Sequence, residues 1–319
     1  MTKIGNLTML ANFFEKTKPL NSLLVGLLFC VVFFYDFFRV EAPELSLKNI
    51  FIWGGYFLSS LFFLLLSGFV LSKKKAVEQS LFIPLFVVLL FGMFPQVNQP
   101  NGSLFLVFIL MLCYRRMTSL DQKGDEVSKL FDSGLLMGVA LIFFNWTLLY
   151  LVVLYSAIFL FGKVSFRNLL APLLGLLLPS FFFFSYCFLF DQLEFFFAQF
   201  LFEFSLDFDF YSSQKSLTPL KICFFLGLFS IIFNFRKIIV ISDKFRLNYV
   251  LILLAYVMGL GIIALKPDKN GTEFLFVLLP TSILVTQLVE ALSKPWLRDF
   301  FVLGFMLYSF VLFSRNWLE

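Results

Sequence analysis

The sequence predicts an all-α fold: a polytopic transmembrane bundle of about eleven helices (ten to twelve), with a cytoplasmic N-terminus and no soluble domain. Three observations predict it. Apolar residues make up 60% of the 319 positions and charged residues only 14%, with a mean hydropathy of +0.93, whereas a soluble globule of this length needs far more polar surface. Apolar runs long enough for a membrane crossing, about 18 residues or more, follow one another along nearly the whole chain. The basic residues also segregate: on the eleven-helix path, 18 of the 25 Lys and Arg side chains fall on the cytoplasmic side, as the positive-inside rule requires.

Taken in order, residues 1–18 carry Met9, Leu10, Phe13 and Phe14 on one helical face beside Glu15, Lys16 and Lys18, which predicts a short interfacial helix. They lack the compact apolar core and small-residue cleavage site of a secretory signal. Pro19 suits the first turn of the following helix. Spans are predicted at about 19–38, 50–72, 80–94, 103–117, 131–145, 146–162, 168–190, 219–235, 247–265, 272–290 and 299–315. The run 130–162 exceeds one crossing of ~20 residues, and FFNWT at 143–147 marks a turn between two short helices. Reading it as one span would invert every later loop and move the basic stretch FNFRKIIVISDKFR outside. The whole chain, 1–319, then forms one integral membrane domain, with 191–218 as an interfacial flap on the outer face. The 51 phenylalanines suit a lipid-facing surface, which accepts large apolar side chains interchangeably.

Composition excludes several classes. The chain has no histidine, so the commonest metal ligand and neutral-pH base are missing. Cys30, Cys113, Cys187 and Cys223 are scattered singly within apolar runs, as small buried residues rather than a metal site or disulfide framework. Neither GxxxxGK[ST] nor GxGxxG occurs. No cofactor, metal or nucleic-acid partner is expected. The net charge of +5 follows from topology and anionic lipid headgroups.

Three outer segments hold the candidate chemistry. In FFYDFFRVEAPE, Asp36 lies in the last turn of an apolar helix, where an ionisable group is costly, and Glu41 and Glu44 follow. An interfacial pair with Arg39 also accounts for Asp36. In DQLEFFFAQFLFEFSLDFDFYSSQKS (191–216), the first half suits an interfacial helix. The second half alternates Phe202, Phe204, Leu206, Phe208 and Phe210 with Glu203, Ser205, Asp207 and Asp209, a period of two that predicts an extended piece with an acidic face. Such a piece fits a partner's strand edge or a cavity cover. In KPDKNGTEFLFVLLP (266–280), Pro267 ends one helix, Asn270-Gly271 makes a turn, and Thr272 and Glu273 suit the cap and first turn of the next. Lys266 and Lys269 stand beside that helix N-terminus, a place that favours anions such as lipid phosphate.

Two resemblances follow from these residues. ANFFEKTKPLN near the start and KPDKNGTEFLFVLLP near the end resemble an uncharacterised family of polytopic inner-membrane proteins from Bacteroidota, especially flavobacteria; this implies a bacterial inner (cytoplasmic) membrane and no particular activity. The span order, with FDSGLLMGVALIFFNWTLLYLVVLYSAIFLFGK followed later by GTEFLFVLLPTSILV, resembles the membrane domain of GT-C glycosyltransferases, which use polyprenyl-phosphate-linked sugars. That likeness implies a catalytic acid at Asp36, Glu41 or Glu44 and a lipid-phosphate site at Lys266 and Lys269. The chain departs from it in a first outer loop of only about ten residues, and in lacking histidines and a C-terminal soluble domain.

Taken together, the sequence is expected to be a non-catalytic inner-membrane subunit or scaffold of an envelope complex, of secretion, translocation or gliding type. It would contact the bilayer and other membrane or periplasmic proteins through 191–218. A reduced GT-C-like transferase is the alternative. A transporter is third, because mid-span ionisable residues are scarce.

Overall fold

The structure is a computed structural model that describes residues 13–14, 18–41, 46–72, 81–122, 124–213, 216–240, 243–292 and 294–315. Among these, every regular element is helical. The elements are α1 (Pro19–Glu41), α2 (Leu47–Ser72), α3 (Phe82–Met93), α4 (Ser103–Met117), α5 (Glu126–Phe143), α6 (Tyr150–Leu160), α7 (Phe166–Leu189), α8 (Leu193–Gln199), α9 (Asp209–Ser213), α10 (Leu217–Val240), α11 (Asp243–Leu265), α12 (Leu275–Ala291) and α13 (Pro295–Arg315). Seven of them, α1, α2, α4, α7, α11, α12 and α13, are long and apolar enough to cross a membrane, and Phe82–Met93, Asn145–Leu160 and Leu217–Phe233 are shorter apolar helices. Each of the eleven predicted segments therefore contains a helix, and seven of those helices have the length and composition of a full span. The interfacial helix expected over 1–18 lies outside the described residues, apart from Phe13, Phe14 and Lys18.

The chain divides into two compact units, residues 1–101, 214–241 and 278–319 in one and 102–213 and 242–277 in the other. The first unit is built around α3. All twelve of its side chains are buried, as expected of a helix apolar on every side, and α1, α2 and α13 pack against it. The Ser309 hydroxyl donates to Leu89 O at 2.7 Å, tying α13 to α3. Phenylalanine is not confined to the periphery as composition suggested. Phe29, Phe33, Phe86 and Phe91 are buried while Phe51, Phe181 and Phe300 are exposed, and the Phe33 ring meets Phe57 edge-on at 5.1 Å and Trp53 at 5.8 Å.

In the second unit, α5 and α7 touch along a seam of small residues. The stretch GLLMG at 134–138 lies against Pro172 and Leu176; a Cβ on Gly134 would stand 2.1 Å from Pro172 O, and one on Gly138 2.6 Å from Leu176 O. Gly175 answers from α7, where a Cβ would come within 2.2 Å of Phe131 O. Such small-residue seams let membrane helices approach at backbone distance. At one end of this pair, Lys163 donates to Glu126 and Asn168 donates to Lys163 O at 2.7 Å. The predicted division of 130–162 is present: α5 stops at Phe144, whose φ of −155° and ψ of 106° are extended, and a single 3-10 turn over Asn145–Leu149 leads into α6. After α7, Asp191 takes a left-handed φ of 53° and the chain enters α8.

Candidate functional site

Four pieces of the second unit meet: the break at 144–149, residues 201–208, α9 and the loop 266–271. Residues 201–208 run without helix or hydrogen-bonded backbone turn and form a strap, at whose end Asp207 N–H donates to Ser205 Oγ at 3.3 Å and Asp209 N–H to Asp207 Oδ1 at 2.8 Å. Phe202 and Phe204 both meet the Trp146 ring edge-on, at 5.7 and 5.3 Å; side chains two apart sharing one neighbour is what extended backbone produces. The Asn145 side-chain amide donates to Leu201 O at 2.7 Å. The predicted period of two is thus seen in the contacts, but no strand forms, and Phe204, Leu206, Glu203 and Asp207 are all exposed.

The strap is held by the lysine loop. Ser205 N–H donates to Leu265 O at 3.0 Å, and the Lys269 ammonium donates to Ser205 O at 2.9 Å, Lys266 O at 2.9 Å and Ala264 O at 3.2 Å. An ammonium has three donors, so all of Lys269's capacity is taken by main-chain carbonyls. Its charge also lies 5.1 Å from the Phe208 ring centre. Burial lowers the pKa of Lys269, against the opposing pull of Glu273 and Asp207.

Lys266 faces inward as well. Its ammonium lies 3.2 Å from a Glu273 carboxylate oxygen, with side chains 11% and 0% exposed, and it donates to Asn270 Oδ1 at 3.1 Å. The second Glu273 oxygen accepts from Gly271 N–H at 3.1 Å and from the Tyr211 hydroxyl of α9. Tyr211 is completely buried; burial first, then the Glu273 charge, raises its pKa. A closed network therefore joins strap, α9 and loop, and it satisfies the polar groups that burial would otherwise penalise.

The turn chemistry is partly as predicted. Gly271 has the left-handed φ of 86° that the Asn-Gly turn requires. Thr272, expected to cap the helix, is instead itself held: Asn270 Oδ1 accepts from its N–H at 3.2 Å and its hydroxyl at 2.7 Å. Glu273 is not a solvated first-turn acid but lies in the interior. Glu273 and Tyr211 were missed as a pair because they are 62 residues apart in sequence; the available signal was an acid entering an apolar run.

Of the predicted acids, Asp36 lies in the first unit, is only 4% exposed, and accepts from the Asn98 amide at 2.5 Å. Asn98 sits in a 3-10 turn, Pro95–Asn98, that follows α3. Next to it, the Tyr56 hydroxyl donates to Val97 O at 2.5 Å and accepts from Asn101 at 3.3 Å. Nothing in the sequence pattern marked Asn98. The Glu41 side chain and Glu44 lie outside the described residues, as does the Arg39 side chain. Among the described residues, no group of three or more Cys, Asp and Glu side chains is placed to hold a metal ion.

A family model described as "Family of unknown function (DUF6427)" matches residues 9–318. No curated protein and no solved structure matches the chain, so the GT-C likeness and the flavobacterial origin have no relative behind them.

Proposed function

We propose, on the premise that this chain belongs to the DUF6427 family, that it is a non-catalytic integral subunit of a bacterial envelope complex in the inner membrane. In this reading it crosses the membrane eleven times from a cytoplasmic N-terminus. The strap and the 266–271 loop then lie at the outer face, where residues 191–218 receive a membrane or periplasmic partner. The observation that carries it is the inward engagement of the outer cations: Lys269 spends its three donors on carbonyls and Lys266 neutralises buried Glu273. A phosphate arriving at this loop would have to compete with those contacts. What the segment leaves exposed is an alternation of Phe and Leu with Glu and Asp, which suits protein contact.

The glycosyltransferase alternative needs a carboxylate open to an acceptor, and Asp36 is enclosed and held by Asn98. The test is purification in mild detergent from native membranes, paired with complementation of a deletion strain. Stoichiometric partner chains, together with full complementation by Asp36→Asn, Glu41→Gln and Glu44→Gln, are the expected result. A bare monomer, or one variant that assembles normally yet abolishes function, overturns the scaffold reading.

A further inference from the structure

The strap is caught between two environments. Leu206 and Phe204 are 70% and 66% exposed, which disfavours water. Yet the main-chain N–H groups of Phe202, Phe204 and Leu206 find no acceptor among the described residues, and an unpaired N–H is costly in hydrocarbon. Ser205 directs its N–H and its C=O to one edge, toward Leu265 and Lys269. In extended backbone its neighbours direct theirs to the opposite edge, so a free edge runs through Phe202, Phe204 and Leu206. Glu203, Asp207 and Asp209 lie along the same stretch, and 191–213 holds five acids without a single Lys or Arg.

We propose that residues 201–208 are a template for β-strand addition, completed by a partner segment that alternates apolar and basic residues. A basic strand satisfies all three features at once. Its carbonyls take the free N–H groups, its apolar side chains cover Phe204 and Leu206, and its cations meet Glu203 and Asp207. An anionic headgroup layer would offer phosphate acceptors but would be repelled by the acids. This inference rests on the scaffold reading and names the chemistry of its partner.

The test titrates the full-length protein, in phosphatidylcholine nanodiscs, with a labelled octapeptide of alternating Lys and Val followed by anisotropy. Saturable binding is expected, weakened about fivefold by Leu206→Pro, which removes one edge N–H. The side chain of Leu206 is exposed and its N–H makes no internal bond, so the fold does not depend on it. Glu203→Gln with Asp207→Asn should weaken binding by a similar factor, and by less as salt is added. Methylating alternate peptide amides should abolish binding for one set of positions and spare it for the other. Equal binding of a Glu-Val peptide, or indifference to Leu206→Pro, overturns strand addition. If partners copurify from membranes while the peptide fails, strand addition alone is overturned and the scaffold reading stands.

Discussion

Removing the Lys266 ammonium should expose how much of the second unit depends on one buried ion pair. In Lys266→Met, Glu273 keeps the Tyr211 hydroxyl and the Gly271 N–H but loses the cation 3.2 Å away. Breaking a buried pair on one side costs about 3–5 kcal/mol, and two remaining donors place this case near 3. Glu273→Gln should be milder, about 1–2 kcal/mol, because Lys266 is 11% exposed and retains Asn270 Oδ1. In the double variant no uncompensated charge remains, so it should recover about 2 kcal/mol relative to Lys266→Met. Cys113 and Cys187 of this unit are buried and form no disulfide, so once the half-buried Cys30 has been blocked a thiol-reactive dye reports thermal unfolding. At about 2 °C per kcal/mol for a chain of this size, Lys266→Met should melt roughly 6 °C early. A midpoint within about 1 °C of wild type, or a double variant no better than the single, would refute the claim that the pair closes this network.

Two further expectations use the same assay. Gly134→Val should lower the midpoint, since a Cβ there meets Pro172 O at 2.1 Å and Pro172 C at 2.7 Å and overpacking costs about 1–3 kcal/mol; Gly26→Ala, with nothing within 4 Å of the new Cβ, should not. The contact from Lys163 holds the Glu126 carboxyl below its ordinary 4.5. The folded state therefore binds that proton less readily than the unfolded one, and the stabilisation present above about pH 5 should fade as pH falls through the folded value. Lys163→Met should flatten this acid limb, as read from midpoints between neutral and acid pH.

How far the fold could be read from the sequence varies with the range of the interactions involved. The break at Phe144 was legible because helix length and a polar FFNWT are local signals, and Gly271 was legible because the Asn-Gly turn is a property of two adjacent residues. The α5–α7 seam was also written locally, as GLLMG, but its meaning depends on Pro172 and Leu176 arriving opposite it. Lys266 and Lys269 stand out in the sequence as cations entering an apolar run. Their engagement with Glu273 and with the strap carbonyls was not legible, because Ser205 and Lys269 are 64 residues apart and no periodicity encodes that approach. Asp36 was found by its cost in an apolar helix, whereas its partner Asn98 lay in a PQVNQPNG stretch that looked like an ordinary loop.

The enclosure of α3 has a consequence for how the chain is assembled. At twelve residues, about 18 Å of helix, it is too short to hold a place in the bilayer by itself, and its sheath comes from segments far apart in the sequence. α1 and α2 precede it, but α13, which reaches it through Ser309 and Leu89, lies 220 positions downstream. During synthesis α3 therefore waits, partly unwrapped, until α13 has been made. Closure of this core is in that sense a late event: a segment 220 positions downstream seals it, and a chain stopped short of residue 295 would carry an unsheathed stub for quality-control proteases to recognise.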